Sequence, residues 1–97
     1  MLVERPLITI YLPSHNYGRY LKRAVESVLR QTYEHFELLI FDENSKDNTA
    51  EIINLFKGDN RIRAFKTEGL GLIMVANMAI REAKGKYLIR LDADDIF

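Results

Sequence analysis

Four short β-rich runs alternate with three segments of helical period, and this alternation narrows the fold more than any other feature of the chain. Leu7-Ile8-Thr9-Ile10-Tyr11-Leu12 is the first run, stopped by Pro13. From about Tyr17 to Gln31, Leu21, Ala24, Val25, Val28 and Leu29 recur at three- and four-residue steps. Lys22, Arg23, Glu26 and Arg30 lie mostly off that face. Phe36-Glu37-Leu38-Leu39-Ile40-Phe41 is the second run, ending at Asp42. Asp47 or Asn48 can cap the next helix, with Glu51 in a capping-box position. Its apolar face is Ile52, Ile53, Leu55 and Phe56, and Gly58 suits its end. Arg61 to Lys66 is a weaker strand, and Gly69-Leu70-Gly71 reads as a flexible turn. A third helix, from about Leu72 to Ala83, presents Leu72, Val75, Ala76, Ala79, Ile80 and Ala83. Gly85 stops it, and Tyr87-Leu88-Ile89-Arg90-Leu91 reads as a buried strand.

The order β-α-β-α-β-α-β, with connections long enough for crossover helices, predicts a three-layer α/β/α sandwich. Its sheet is mainly parallel, with right-handed crossovers and helices on its faces. In such a sheet every strand's carboxyl end lies on one edge, and ligands bind where the strand order reverses. Three polar clusters fall on that edge: Pro13-Ser14-His15-Asn16, Asp42-Glu43-Asn44-Ser45 and Asp92-Ala93-Asp94-Asp95.

The last cluster holds three carboxylates within four residues. Asp is a poor strand residue, so the strand stops there. Two acids one residue apart can share one hard cation, and Mg²⁺ or Mn²⁺ favours such oxygen ligands. Asp94 or Asp95 capping a following helix is the plain alternative. Capping accounts for one cluster more readily than for three on one edge. The strand-two loop reads as exposed, so Glu43 is expected to serve a ligand without supporting the fold.

Composition removes other classes. Ninety-seven residues suggest one domain at most. Lys+Arg and Asp+Glu number 14 each, so nothing points to a nucleic-acid surface or an anionic membrane. There is no cysteine, hence no disulfide framework and no thiolate metal site. No apolar run nears the roughly 20 residues of a membrane span. Met1 to Pro6 is too short and polar for a signal peptide. A cytoplasmic setting is expected, or one peripheral to a membrane for a longer protein. No G-x-x-x-x-G-K-[ST] occurs, and Gly69-x-Gly71 lacks the third glycine of a dinucleotide fingerprint. Ser14 and His15 lie in no G-x-S-x-G. His35 reads as a surface residue, and Met74 with Met78 as packing.

Four stretches, in order and at matching spacing, carry a resemblance. Ile10-Tyr11-Leu12-Pro13-Ser14-His15-Asn16 resembles an opening strand with a P-x-Y-N turn. Ser27-Val28-Leu29-Arg30-Gln31-Thr32-Tyr33-Glu34-His35-Phe36-Glu37 resembles S-V-L-x-Q-T-Y-x-x-F-E. Asp42-Glu43-Asn44-Ser45-Lys46-Asp47-Asn48-Thr49 resembles D-D-G-S-x-D-N-T. Asn77 through Ala83-Lys84-Gly85-Lys86-Tyr87 to Asp92-Ala93-Asp94-Asp95 resembles the N-x-G-I-x-x-A-x-G-x-Y lead into a D-x-D. Together they resemble the N-terminal half of a family 2 glycosyltransferase, the Rossmann-like, nucleotide-binding part of the GT-A fold. The resemblance covers residues 1–97, with the chain ending just after the D-x-D.

That resemblance implies roles. Pro13, Ser14, His15 and Asn16 form a nucleotide-binding turn, and Asp42 and Glu43 meet the nucleoside, often a uridine. Asn77 is counted with the nucleotide-binding residues. Asp92 lies near the ribose or metal, and Asp94 binds the metal, Mn²⁺ or Mg²⁺. Glu43 replaces the family's Asp, and His15 a tyrosine that stacks on the base. Ala76 stands where many members carry an Arg for the diphosphate. The implied reaction moves a sugar from a nucleotide-sugar, expected to be UDP-linked, to a hydroxyl of a saccharide or lipid-linked acceptor. The metal would neutralise the leaving diphosphate. The general base lies downstream of the D-x-D in the family, so it is expected beyond Phe97 and this chain to be inactive alone. Self-association through the open sheet edge is also expected. Two rivals stand: a flavodoxin-like or receiver-like binding module, and a nucleotidyltransferase attacking phosphorus.

Overall fold

The computed structural model describes residues 5–92. β1 (Ile8–Ser14), α1 (Gly18–Arg30), β2 (Phe36–Glu43), α2 (Thr49–Leu55), β3 (Ile62–Thr67), α3 (Leu72–Glu82) and β4 (Tyr87–Arg90) alternate along the chain. Every strand pairing is parallel, and the order across the sheet is β3-β2-β1-β4. The expected α/β/α layering is present, because side chains alternate across each strand. Ile10, Leu12, Leu38 and Ile40 meet Leu21, Ala24, Val25 and Val28 of α1, with Ile52, Ile53 and Phe56 alongside. On the opposite face Tyr11, Leu39 and Phe41 meet Val75 and Ala79 of α3. β2 is central, and all eight of its residues are buried.

β1 does not stop at Pro13 but runs through it to Ser14. Lys86 N–H donates to the Leu7 carbonyl at 2.8 Å and Leu91 N–H to that of Tyr11 at 2.9 Å. Alternate residues of β1 therefore face β4, and Pro13 is the next in that series. Its missing N–H costs nothing on the β2 side and ends the ladder to β4. The strands part just where the acids begin.

The α3 stripe is narrower than its spacing predicts. Leu72 and Ile80 are 53% and 64% exposed, as is Leu55 of α2 at 63%. Val75 and Ala79 centre the buried stripe, flanked by Ala76 and Met78, while Met74 is half-exposed. A short helix crossing a sheet touches it along one line, so apolar residues to either side stay outside. β4 is likewise an edge strand rather than a buried one, with all four residues exposed. An apolar run is compatible with either position, and the strand order decides.

Two carboxylates on the α3 face of β2 fix that helix at both ends. Glu37 accepts the Thr9 hydroxyl at 2.7 Å, Lys84 N–H at 2.7 Å and an Arg63 guanidinium N–H at 3.2 Å. Glu43 accepts the Thr67 hydroxyl at 2.7 Å, Leu70 N–H at 3.1 Å and Gly71 N–H at 3.0 Å. Six residues of strand span about 20 Å at ~3.3 Å per residue. The 11 residues of α3 span about 16 Å of helix. The two acids are thus spaced to hold its entry and exit. Burial by itself would raise both carboxyls, but these donors outweigh it and hold both below the usual carboxylate range.

Candidate functional site

At the carboxyl edge, between β1 and β4, a cavity of about 480 Å³ opens. This is where the strand order reverses, since β2 and β3 lie on one side of β1 and β4 on the other. Its size is that of a small-molecule site. β1 contributes Pro13 and Ser14, with His15 just beyond; β2 contributes Glu43; Asp92 follows β4. These five sequence-predicted residues are brought together. Tyr17, Gly71, Leu72 and Arg90 complete the lining and were not anticipated. Gly71 and Leu72 carried a topological signal, because the loop after β3 must open on the same edge as those after β1 and β2. Arg90 carried a chemical one, as the lone charge of its strand.

Asn16, Asp42 and Asn77 do not line the cavity. Asn16, in a left-handed conformation at φ 56, joins the first two loops instead. Its N–H donates to Ser45 Oγ at 3.0 Å and its Oδ1 accepts Lys46 N–H at 2.7 Å. Asp47 adds to this joint by accepting Gly18 N–H at 2.9 Å and Thr49 N–H at 3.0 Å. The Thr49 hydroxyl and these amides hold its carboxyl below the usual range despite some burial. Asp47 thereby performs the capping expected of Asp47 or Asn48; Asn48 makes no side-chain cap. Asp42 is buried on the other face of β2, accepts Ser45 N–H at 3.1 Å, and borders a small groove with Ala50 and Ile53. Asn77 is exposed in the middle of α3. Asp94 and Asp95 lie outside the described residues.

Within the cavity, Ser14 is 2% exposed and its hydroxyl has no hydrogen-bond partner among the described residues. A buried hydroxyl without a partner is costly, and this one is shut off behind the cavity wall. His15 Nδ1 lies 2.5 Å from the Glu43 carbonyl and Nε2 3.3 Å from Asn16 Nδ2. A carbonyl only accepts, so Nδ1 carries the proton and Nε2 accepts from the amide. The Glu43 carboxylate is not exposed as expected: it is buried and occupied by its three internal donors. Arg90 directs Nε and Nη2 at Asp92 Oδ1, at 2.9 and 2.8 Å. That contact pushes up the Arg90 guanidinium. Among the described residues no three His, Cys, Asp or Glu side chains converge on a metal position. Asp92 does present a hard oxygen donor into the cavity, the donor type that Mg²⁺ and Mn²⁺ take. No helix among the described residues is long and apolar enough to cross a membrane.

Residues 9–97 match the family described as Glycosyl transferase family 2. The glycosyltransferase GlyG of Streptococcus pneumoniae serotype 4 is 41% identical over 92 residues, covering 93% of this chain and 31% of that protein. A mannosyltransferase from Pyrobaculum calidifontis, solved with GDP-Man and Mn²⁺, superposes with a TM-score of 0.87 at 21% identity, over 97% of this chain and 29% of that one. TarS 1-349 from S. aureus, solved with UDP-GlcNAc, gives a TM-score of 0.83 at 22% identity, over 92% and 27%. The chain spans about a third of the length of these relatives.

Proposed function

Because the chain belongs to glycosyl transferase family 2, we propose that its cavity binds the nucleotide-sugar donor of a metal-dependent sugar transfer to an acceptor hydroxyl. One observation carries the reading. The crevice at the reversal of strand order brings Asp92, Arg90 and the fixed His15 ring to one cavity of ligand size. Pro13, Ser14 and His15 form the wall that receives the nucleoside, and the fixed His15 ring offers a face for the base. Asp92, with Asp94, would hold Mn²⁺ or Mg²⁺. When bound, the cation supplies charge neutralisation to the departing diphosphate. The protein's own part is to set the His15 ring against the base and the Asp92 carboxylate beside the cation. The donor is taken as UDP-linked and the acceptor as a saccharide or lipid-linked hydroxyl.

Calorimetry of UDP and GDP, each with and without Mn²⁺, tests this on the 97-residue chain. Metal should strengthen nucleotide binding and nucleotide should strengthen metal binding by the same factor. Asp94→Asn should remove that coupling. Nucleotide binding that ignores metal, or coupling that survives the substitution, would refute the assignment. A nucleotidyltransferase would release pyrophosphate from a nucleoside triphosphate, which a product assay distinguishes.

A further inference from the structure

The Arg90 guanidinium occupies the one described carboxylate that the donor-site reading assigns to a cation. Two of its three nitrogens, Nε and Nη2, address a single oxygen, Asp92 Oδ1. The other carboxylate oxygen, Oδ2, is outside that contact. Both side chains are close to half exposed, at 42% and 45%. An ion pair so open to water is weak and exchanges readily. Arg90 and Asp92 also line the same cavity as Ser14. A cation that leaves Asp92 therefore remains in the crevice and has no other described acid to turn to there, since Glu43 is filled by its own loop.

We propose that Arg90 is an exchangeable counter-cation of the site. It holds Asp92 while the cavity is empty, yields it to the divalent cation, and then pairs with the donor's diphosphate. The proposal rests on the donor-site reading and adds a residue to it. A guanidinium suits both tasks, because its planar fork matches carboxylate and phosphate alike. The exchange keeps charge balanced. An incoming divalent cation needs Asp92, an incoming diphosphate needs positive charge, and one movement of one side chain serves both. It also ties metal and nucleotide binding together, because either ligand alone leaves Arg90 or the diphosphate without its best partner.

Competition and support predict opposite signs. If Arg90 competes with metal for Asp92, Arg90→Gln should bind Mn²⁺ roughly two- to five-fold more tightly without nucleotide, matching the worth of an exposed ion pair. If Arg90 merely positions Asp92, the same change should weaken Mn²⁺ binding. In the presence of saturating Mn²⁺, Arg90→Gln should weaken UDP binding on the order of tenfold, the scale of a charge-assisted hydrogen bond. Arg90→Lys keeps the charge without the fork and should recover part of the UDP affinity. Mn²⁺ affinity read by electron paramagnetic resonance, and UDP affinity by calorimetry, require no turnover. Opposite shifts in the two affinities support the exchange. Mn²⁺ binding that weakens or stays unchanged in Arg90→Gln overturns it, as does unchanged UDP affinity. A wild-type chain that binds neither Mn²⁺ nor UDP overturns the donor-site reading itself and this inference with it. Wild-type binding of both, unmoved by the substitution, removes this inference alone.

Discussion

Three internal donors converge on the Glu43 carboxylate, and removing the side chain would leave the Thr67 hydroxyl and the Leu70 and Gly71 amides without their acceptor. Glu43→Ala should therefore cost about 1 kcal/mol of stability, because Thr67 keeps the Asp42 carbonyl as an acceptor at 3.3 Å and the Leu70 and Gly71 amides belong to exposed residues open to water. The cost has a pH signature. The folded carboxyl lies below its usual value, so its contribution is complete above an unfolded pKa of about 4.3 and disappears as pH falls through the folded value. Glu43→Gln keeps the shape but does not titrate. Its melting temperature should fall less steeply than wild type below about pH 4.3, with Glu37, Asp47 and Asp59 sustaining the remaining slope. Parallel melting curves across that window would mean the loop does not depend on this charge. The apolar run ends at Phe41, so the pattern leaves Glu43 in the loop; β2 in fact runs on to Glu43, which puts it on the face of Phe41. Which helix covers that face depends on the path of the chain after β3, and no local pattern reports it.

At the scale of elements, the contact between the α3–β4 connection and β1 gives the sharpest test. A Cβ on Gly85 would meet Thr9 Oγ1 at 2.5 Å, Thr9 N at 2.7 Å and Leu7 O at 2.8 Å. Thr9 N is backbone of β1, which is paired on both sides, and Leu7 O just before it accepts Lys86 N–H, so neither shifts alone. Gly85→Ala should cost about 1–3 kcal/mol, as overpacking does. Gly18 is the contrast, because a Cβ there meets Asn48 Oδ1 at 2.2 Å. That atom ends an exposed side chain able to swing away, and the Asp47 Oδ2 and Thr49 N contacts at 3.1 Å need only a small shift, so Gly18→Ala should cost less than Gly85→Ala, about 1 kcal/mol. Urea midpoints of the two variants decide this, and an equal loss would show that the connection can lift off β1. Element order and boundaries were legible because hydrophobic period is local: each helix and strand begins within about two residues of its expected position. Pro13 inside β1, Ile80 outside the α3 stripe and β4 at the edge were not, since each depends on which strand lies beside which. The acids after β4 announced the site by composition. Arg90, Gly71 and Leu72 joined it only once the sheet order set the crevice between β1 and β4.

Over the whole molecule the two edges of the sheet are unlike. β3 carries Arg63 and Lys66, and charge along an edge discourages pairing with another chain. β4 carries Tyr87, Leu88 and Ile89 in succession, 53%, 36% and 39% exposed, with no charge among them. Its register with β1 places Leu88 on the α3 face and Tyr87 and Ile89 on the α1 face, so both surfaces of the edge are apolar up to Arg90, whose charge stands on the α3 face at the end of the strand. The net charge of the chain is zero, which removes long-range repulsion between copies. Association should therefore run through β4, with strand added to strand. Sedimentation equilibrium should show a mass that rises with concentration. Ile89→Lys should return the chain to a monomer with its circular dichroism unchanged, because the side chain is already partly in water. Ala64→Lys on β3 should leave the association intact. A wild-type mass independent of concentration would mean that the apolar edge does not recruit a second chain, and suppression by Ala64→Lys would move the contact to the other side of the sheet.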